Sequence, residues 1–230
     1  MQVTSEGNIS GNGGDKYMGK NDQPASVRFL AHFFSFVFHP LFIPTYVAFF
    51  LIFVHPYFFA GYDYKMKVLK LLSVVVTTAF MPSFTVFLLK QLGFIDSIYL
   101  RSQRDRIIPI VICMIFYFSI YFVSKKDAEI PVPFTQFLLA VFINSIIAQM
   151  ANIKFKISLH GLAVGTVLAF FILLALHSGA SMGFYASIAI LVTGIVCTSR
   201  LLLHEHEPFE VYLGLLGGVL SVLVAYWFVG

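Results

Sequence analysis

The stretch SRLLLHEHEPFE, residues 199–210, sets an arginine, two histidines and three glutamates between two runs apolar enough to live in lipid. Two other polar links interrupt the chain. YLRSQRDRIIP, residues 99–109, carries Arg101, Arg104 and Arg106, and KFKISLHG, residues 154–161, carries Lys154, Lys156, Ser158 and His160. Brought to one place, these groups suit a phosphate, whose oxygens accept several charge-assisted hydrogen bonds and match the planar guanidinium fork. Ser158 and the backbone N–H groups of a helix opening after His160 would add donors, because a helix N-terminus favours an anion. Two histidines supply what cleavage of a phosphoester needs: a nucleophile, and an acid to protonate the leaving oxygen. Taken one at a time, the same residues fit headgroup anchors and topology signals. Their conjunction points to a site.

The rest of the chain must hold those links together, and its composition says how. Of 230 residues, 59% are hydrophobic and 11% charged, with a mean hydropathy of +0.87, far from the roughly 25% charged residues of a soluble domain. This is the composition of an integral membrane protein, and it leaves no room for a large soluble domain. Residues 1–26, rich in Gly, Asn, Ser and Asp, cannot bury a core and are expected to form a disordered polar tail rather than a signal peptide. Residues 27–230 then form one transmembrane domain. The net charge of +4 is modest and the basic residues are clustered, which argues against a nucleic-acid partner. Cys113 and Cys197 lie in apolar runs and read as buried small hydrophobes.

Hydropathy marks seven segments, at about 29–54, 68–89, 107–124, 133–152, 160–177, 182–199 and 209–229. None alternates as a barrel strand would, so the expected fold is an all-α polytopic membrane bundle of six to seven transmembrane helices. HPLFIPTY, residues 39–46, and Pro82 are expected to kink their helices. Gly214 and Gly218 form a small-xxx-small pair that lets the last helix approach a neighbour closely. His32, His39, His55 and His177 stand away from any charged cluster and read as interfacial or packing residues. If every segment crosses, two crossings separate each polar link from the next, and all three links lie at one face. The opposite links hold Lys65, Lys67, Lys125 and Lys126 but no arginine.

The spacing S-R-x5-H-x3-acid, met by Ser199, Arg200, His206 and Glu210, resembles the third signature of the type 2 phosphatidic-acid phosphatase superfamily. That family's second signature, P-S-G-H, is echoed by Ser158 and His160 in ISLH. The first, K-x6-R-P, is loosely resembled by R-x2-R-x-R-x2-P from Arg101 to Pro109. The order along the chain agrees, and the resemblance covers residues 90–230. It implies a lipid phosphate phosphatase of bacterial type, embedded in the inner membrane, that needs neither metal nor cofactor. In that scheme His206 attacks the phosphorus to give a phosphohistidine, and Glu210 holds and polarises its imidazole. His160 protonates the departing alkoxide, then activates the water that hydrolyses the intermediate. Arg200, Ser158 and the first cluster, chiefly Arg104 and Arg106 with Arg101 and Lys156 as further candidates, bind the phosphate. The chain departs from the family in having Glu210 in place of Asp, Ile157 and Leu159 in place of Pro and Gly, and Tyr99 at the lysine position of the first signature. His204 competes for the nucleophile role; spacing from Arg200 and to Glu210 selects His206.

Other readings of the same residues stay open. HEHEPFE could bind a metal together with His160, although HExxH is missing and an arginine would share the site. A lipid-phosphate binding or transport protein would use the same basic clusters, but transporters place polar groups near the midplane and here they fall at span ends. The phosphohistidine could also pass its phosphoryl group to another alcohol instead of water. The expected partners are a lipid phosphomonoester or diphosphate and the surrounding membrane lipids. A count of Lys and Arg by face favours a cytoplasmic site, though several of those residues would be phosphate ligands rather than topology signals.

Overall fold

The structure, a computed structural model, describes residues 24–55, 57–95, 102–178 and 182–229. The expected tail falls outside them except at its end, where the first helix already begins at Ala25. Eight helices follow among the described residues: α1 Ala25–Val37, α2 Ile43–Val54, α3 Tyr64–Gln91, α4 Gln103–Lys126, α5 Val132–Asn152, α6 Leu159–Ser178, α7 Gly183–Leu202 and α8 Pro208–Val229. Six of them, α3 to α8, are long and apolar enough to cross a membrane. The protein is an all-α polytopic bundle.

The first expected segment is not a single span. It divides at residues 38–42 into α1 and α2, and the twelve residues of α2 reach only about 18 Å against a hydrocarbon core of about 30 Å. Two prolines cause the break. Pro40 offers no N–H to a helix and disfavours helical geometry at His39, whereas Pro44 falls in the first turn of α2, where its missing donor costs nothing. Pro82 does not break its helix: α3 widens into a π turn at Val76–Phe80 just before it and continues to Gln91. Capping moves another boundary. Ser102 accepts the Asp105 N–H at 3.0 Å, so α4 starts at Gln103, before its apolar run begins.

The most extensive helix contact joins α6 to α8, which run parallel. Four glycines make it possible. A Cβ built on Gly161 would lie 2.6 Å from the Val211 carbonyl oxygen, and one on Gly214 would lie 2.6 Å from that of Ser158. At Gly165 and Gly218 a methyl would run into the carbonyl oxygens of Leu215 and Leu162 still more severely. The small-xxx-small pair expected on α8 thus meets a matching pair on α6, and the two backbones touch.

The crossings of α4 to α7 bring the three polar links to one end of the bundle, where hydrogen bonds join them. Asn152 Nδ2 donates to the Gln103 carbonyl at 2.8 Å, and the Ser158 N–H donates to the Glu210 carbonyl at 3.2 Å. At the far end, Lys70 Nζ pairs with Asp127 Oδ2 at 2.6 Å, tying the start of α3 to the end of α4. The main apolar core, including Leu51, Phe59, Phe137 and Leu138, fills the half of the bundle away from the links.

Gly165→Ala and Gly218→Ala are each expected to lower stability by about 2 kcal/mol or more, since backbone cannot yield as a side chain does. Gly194→Ala on α7, with nothing within 4 Å, should leave stability unchanged or raise it by up to about 1 kcal/mol. Thermal melting in detergent reads the difference, and three equal melting temperatures would refute the backbone contact.

Candidate active site

A cavity of about 630 Å³ opens at the end where the links meet. Arg106, His160, Arg200, Glu205 and His206 line its polar part, and His32, Ser35 and His39 of the broken first segment face them.

His206 is placed by a tight reversal between α7 and α8. The chain turns at His204, whose φ of 49° is left-handed, and α8 restarts at Pro208. His206 Nδ1 then lies 2.7 Å from Glu210 Oε2, one helical turn onward, and the Glu207 N–H donates to the same oxygen at 3.3 Å. The His206 side chain is 5% exposed. With Nδ1–H given to the carboxylate, Nε2 keeps its lone pair. Burial pulls the His206 pKa below its ordinary 6.5 and Arg200 pushes the same way, while the hydrogen bond to Glu210 opposes them in part. The imidazole is therefore neutral near pH 7 and can act as a nucleophile. His204 is exposed and does not line the cavity, whereas His206 does.

His160 stands in the first turn of α6 with Nε2 2.9 Å from the Ser35 carbonyl oxygen. A carbonyl only accepts, so Nε2 carries the hydrogen and Nδ1 is the nitrogen left to gain and lose a proton. The His39 ring meets His160 edge-on, with centroids 5.5 Å apart. Arg200, 6% exposed in the last turn of α7, bonds through Nη2 to Glu205 Oε2. Its Nε is buried with no hydrogen-bond partner among the described residues. Burial raises the Glu205 carboxyl, but the charge and hydrogen bond of Arg200 outweigh it and hold the pKa below the usual value. Arg106 lines the cavity and gives Nη1–H to the Ile157 carbonyl at 3.4 Å. α6 and α8 begin at this face and α5 and α7 end there, so helix ends of both signs meet in the links.

The other expected phosphate ligands are placed differently. Ser158 is fully buried and its Oγ accepts the Gly161 N–H at 3.2 Å, so it caps α6 and does not line the cavity. Arg104 is exposed and Lys156 half-buried, and neither lines the cavity. A helix turns its faces by 100° per residue, so of the two arginines in the first turn of α4, Arg106 lines the cavity and Arg104 is exposed. Arg101 lies outside the described residues. The donors of HEHEPFE do not converge: among the described residues no three His, Cys, Asp or Glu side chains form a metal-binding group.

Among the polar lining residues, Glu205 is weighed in the sequence only as a metal ligand, and His32, Ser35 and His39 are given no role in the site. The last three follow helical 3 and 4 spacing in sequence, His32 and Ser35 on α1 and His39 just past its end, and a proline follows His39. That periodic polar stripe inside an apolar run was the available signal.

Set beside known proteins, the chain matches no family model, no curated protein and no solved structure. Its own geometry carries the functional reading.

The imidazole of His206 should titrate with a midpoint below 6.5 in an NMR pH titration of histidine-labelled protein. Glu210→Gln should move that midpoint further down, because the carboxylate favours the protonated ring. An upward move would break the proposed pairing.

Proposed function

We propose that this protein is a metal-independent lipid phosphate phosphatase of the type 2 phosphatidic-acid phosphatase kind, acting through a phosphohistidine in a bacterial inner membrane. The observation that carries the reading is His206, held at Nδ1 by Glu210, in one cavity with Arg106, Arg200 and a second histidine.

The steps follow from the nitrogens left available. His206 Nε2 forms a bond to phosphorus as the bond from phosphorus to the alkyl oxygen breaks. His160, which takes up a proton at Nδ1 when the phosphate anion lies beside it, gives that proton to the departing oxygen, which leaves as an alcohol. Arg200 and Arg106 stabilise charge on the phosphoryl oxygens. Glu205 occupies Arg200 when no anion is bound, and the phosphate replaces it. A water then gives a proton to His160 Nδ1 and attacks phosphorus, the N–P bond breaks, and inorganic phosphate leaves.

A lipid substrate is supported by the shape of the cavity. From Arg106 its lining follows α4 to Tyr117, eleven residues or about 16 Å, past Pro109, Ile110 and Cys113. At its side it reaches Phe36 and Phe87, which are 70% and 52% exposed on the apolar outer surface. A hydrocarbon chain can enter there while the phosphate rests at the polar end.

Purified protein in detergent with excess EDTA should release phosphate from a lipid phosphate, with a loss of roughly 1000-fold or more for His206→Ala and little change for His204→Ala. Because the His206 pKa is depressed, the acid limb of kcat/KM should fall below pH 6.5. Silencing by EDTA, or equal loss for both histidine variants, would overturn the mechanism, and phosphoryl transfer to added alcohol in place of phosphate release would make it a transferase.

A further inference from the structure

The cavity has a floor, and the residues along each helix around it show why. On α4 the lining runs at helical spacing from Arg106 to Tyr117, about 16 Å, although the helix continues to Lys126. On α5, which runs the other way, Val141, Asn144, Ser145 and Ala148 line the space. Val141 lies eleven residues before the end of that helix at Asn152, again about 16 Å from the face that bears the site. On α6 the lining stops at Thr166, seven residues or about 10 Å beyond Leu159, and the helix goes on to Ser178. The space therefore ends on all three helices well before the bundle does.

Side-chain size sets where it ends. Inside the cavity the inward positions hold Cys113, Ala148 and Ala163, which are too small to fill it. One turn deeper the same faces carry Tyr121, Phe137 and Phe170, all buried in the main apolar core. The Phe137 and Phe170 rings meet with centroids 5.1 Å apart and plug the inner end. The polar side chains of the wall bond within the protein: Ser145 donates to the Phe142 carbonyl at 2.5 Å, Thr166 to the Leu162 carbonyl at 3.0 Å, and Asn144 pairs with Thr166 at 2.5 Å. Below the arginines the wall thus suits a hydrocarbon.

We propose that this shaft, closed at its inner end, sets the chain length of the substrate. The phosphate rests at Arg106 and Arg200, and the chain esterified to it runs down to the aromatic plug. An extended chain advances about 1.2 Å per bond, so a depth of about 16 Å holds on the order of a dozen carbons. The proposal rests on the phosphatase reading for the bond that is cleaved and on the plug for the chain. A longer chain must fold back or displace buried rings, which a close-packed core resists. Detergent and lipid are as apolar as the shaft, so extra length brings no compensating gain.

The test compares hexyl, dodecyl and octadecyl phosphate in one detergent. The kcat/KM for phosphate release should be highest for the dodecyl ester and about tenfold lower for the octadecyl ester. Val141→Phe, which raises the floor, should lower the ratio of dodecyl to hexyl about tenfold; if that variant melts far below wild type, Cys113→Phe on α4 is read in its place. In His206→Ala, which binds without turnover, dodecyl phosphate carrying a diazirine at its chain end should on illumination label α4 near Tyr117 and α5 near Val141, as mapped by mass spectrometry. Equal kcat/KM for the dodecyl and octadecyl esters, or labelling confined to the outer surface around Phe36 and Phe87, would overturn the proposal while leaving the phosphatase reading intact. Labelling inside the shaft with no phosphate release from any ester by wild type would do the reverse.

Discussion

The backbone contact between α6 and α8 is the constraint on which the rest of the site depends. Lipid tails are as apolar as leucine, so membrane helices gain little by hiding side chains from them and associate instead through close packing. Gly161 and Gly165 on one helix and Gly214 and Gly218 on the other bring the two backbones together. Because the helices run parallel, their N-termini are brought together as well. Ser158 at the head of α6 bonds to the backbone of Glu210 in α8, so His160 and the pair His206 and Glu210 are set by one rigid unit. A side chain at any of these glycines would separate both histidines.

That unit also sets the electrostatics. Arg106 and Arg200 line the polar end of the cavity, and a buried guanidinium without an anion would be unstable there. Two carboxylates answer this, in different ways. Glu210 serves His206 from inside the first turn of α8. Glu205, on the link and half-exposed, pairs with Arg200.

The broken first segment closes the site from the other side. A continuous helix through residues 38–42 would have carried the chain past the cavity. The prolines stop it there, and the Ser35 carbonyl and His39 ring come to rest against His160. One backbone oxygen thereby decides which nitrogen of His160 can exchange a proton.

Much of this was legible in the residues alone. Composition and the length of the apolar runs suffice for an all-α membrane bundle, because lipid permits few ways to satisfy a backbone. Counting crossings places the three links at one face, and i to i+4 spacing puts Glu210 beside His206, since both arguments need only chain connectivity and helix pitch. The tertiary structure alone decided the rest. Arg106 rather than Arg104 lines the cavity, Ser158 caps a helix instead of facing it, and His39 and Asn144 reach the cavity from segments without any motif. Those outcomes depend on the rotation of each helix about its axis and on the depth at which neighbours meet. Packing between helices sets both, and residues distant in sequence supply that packing.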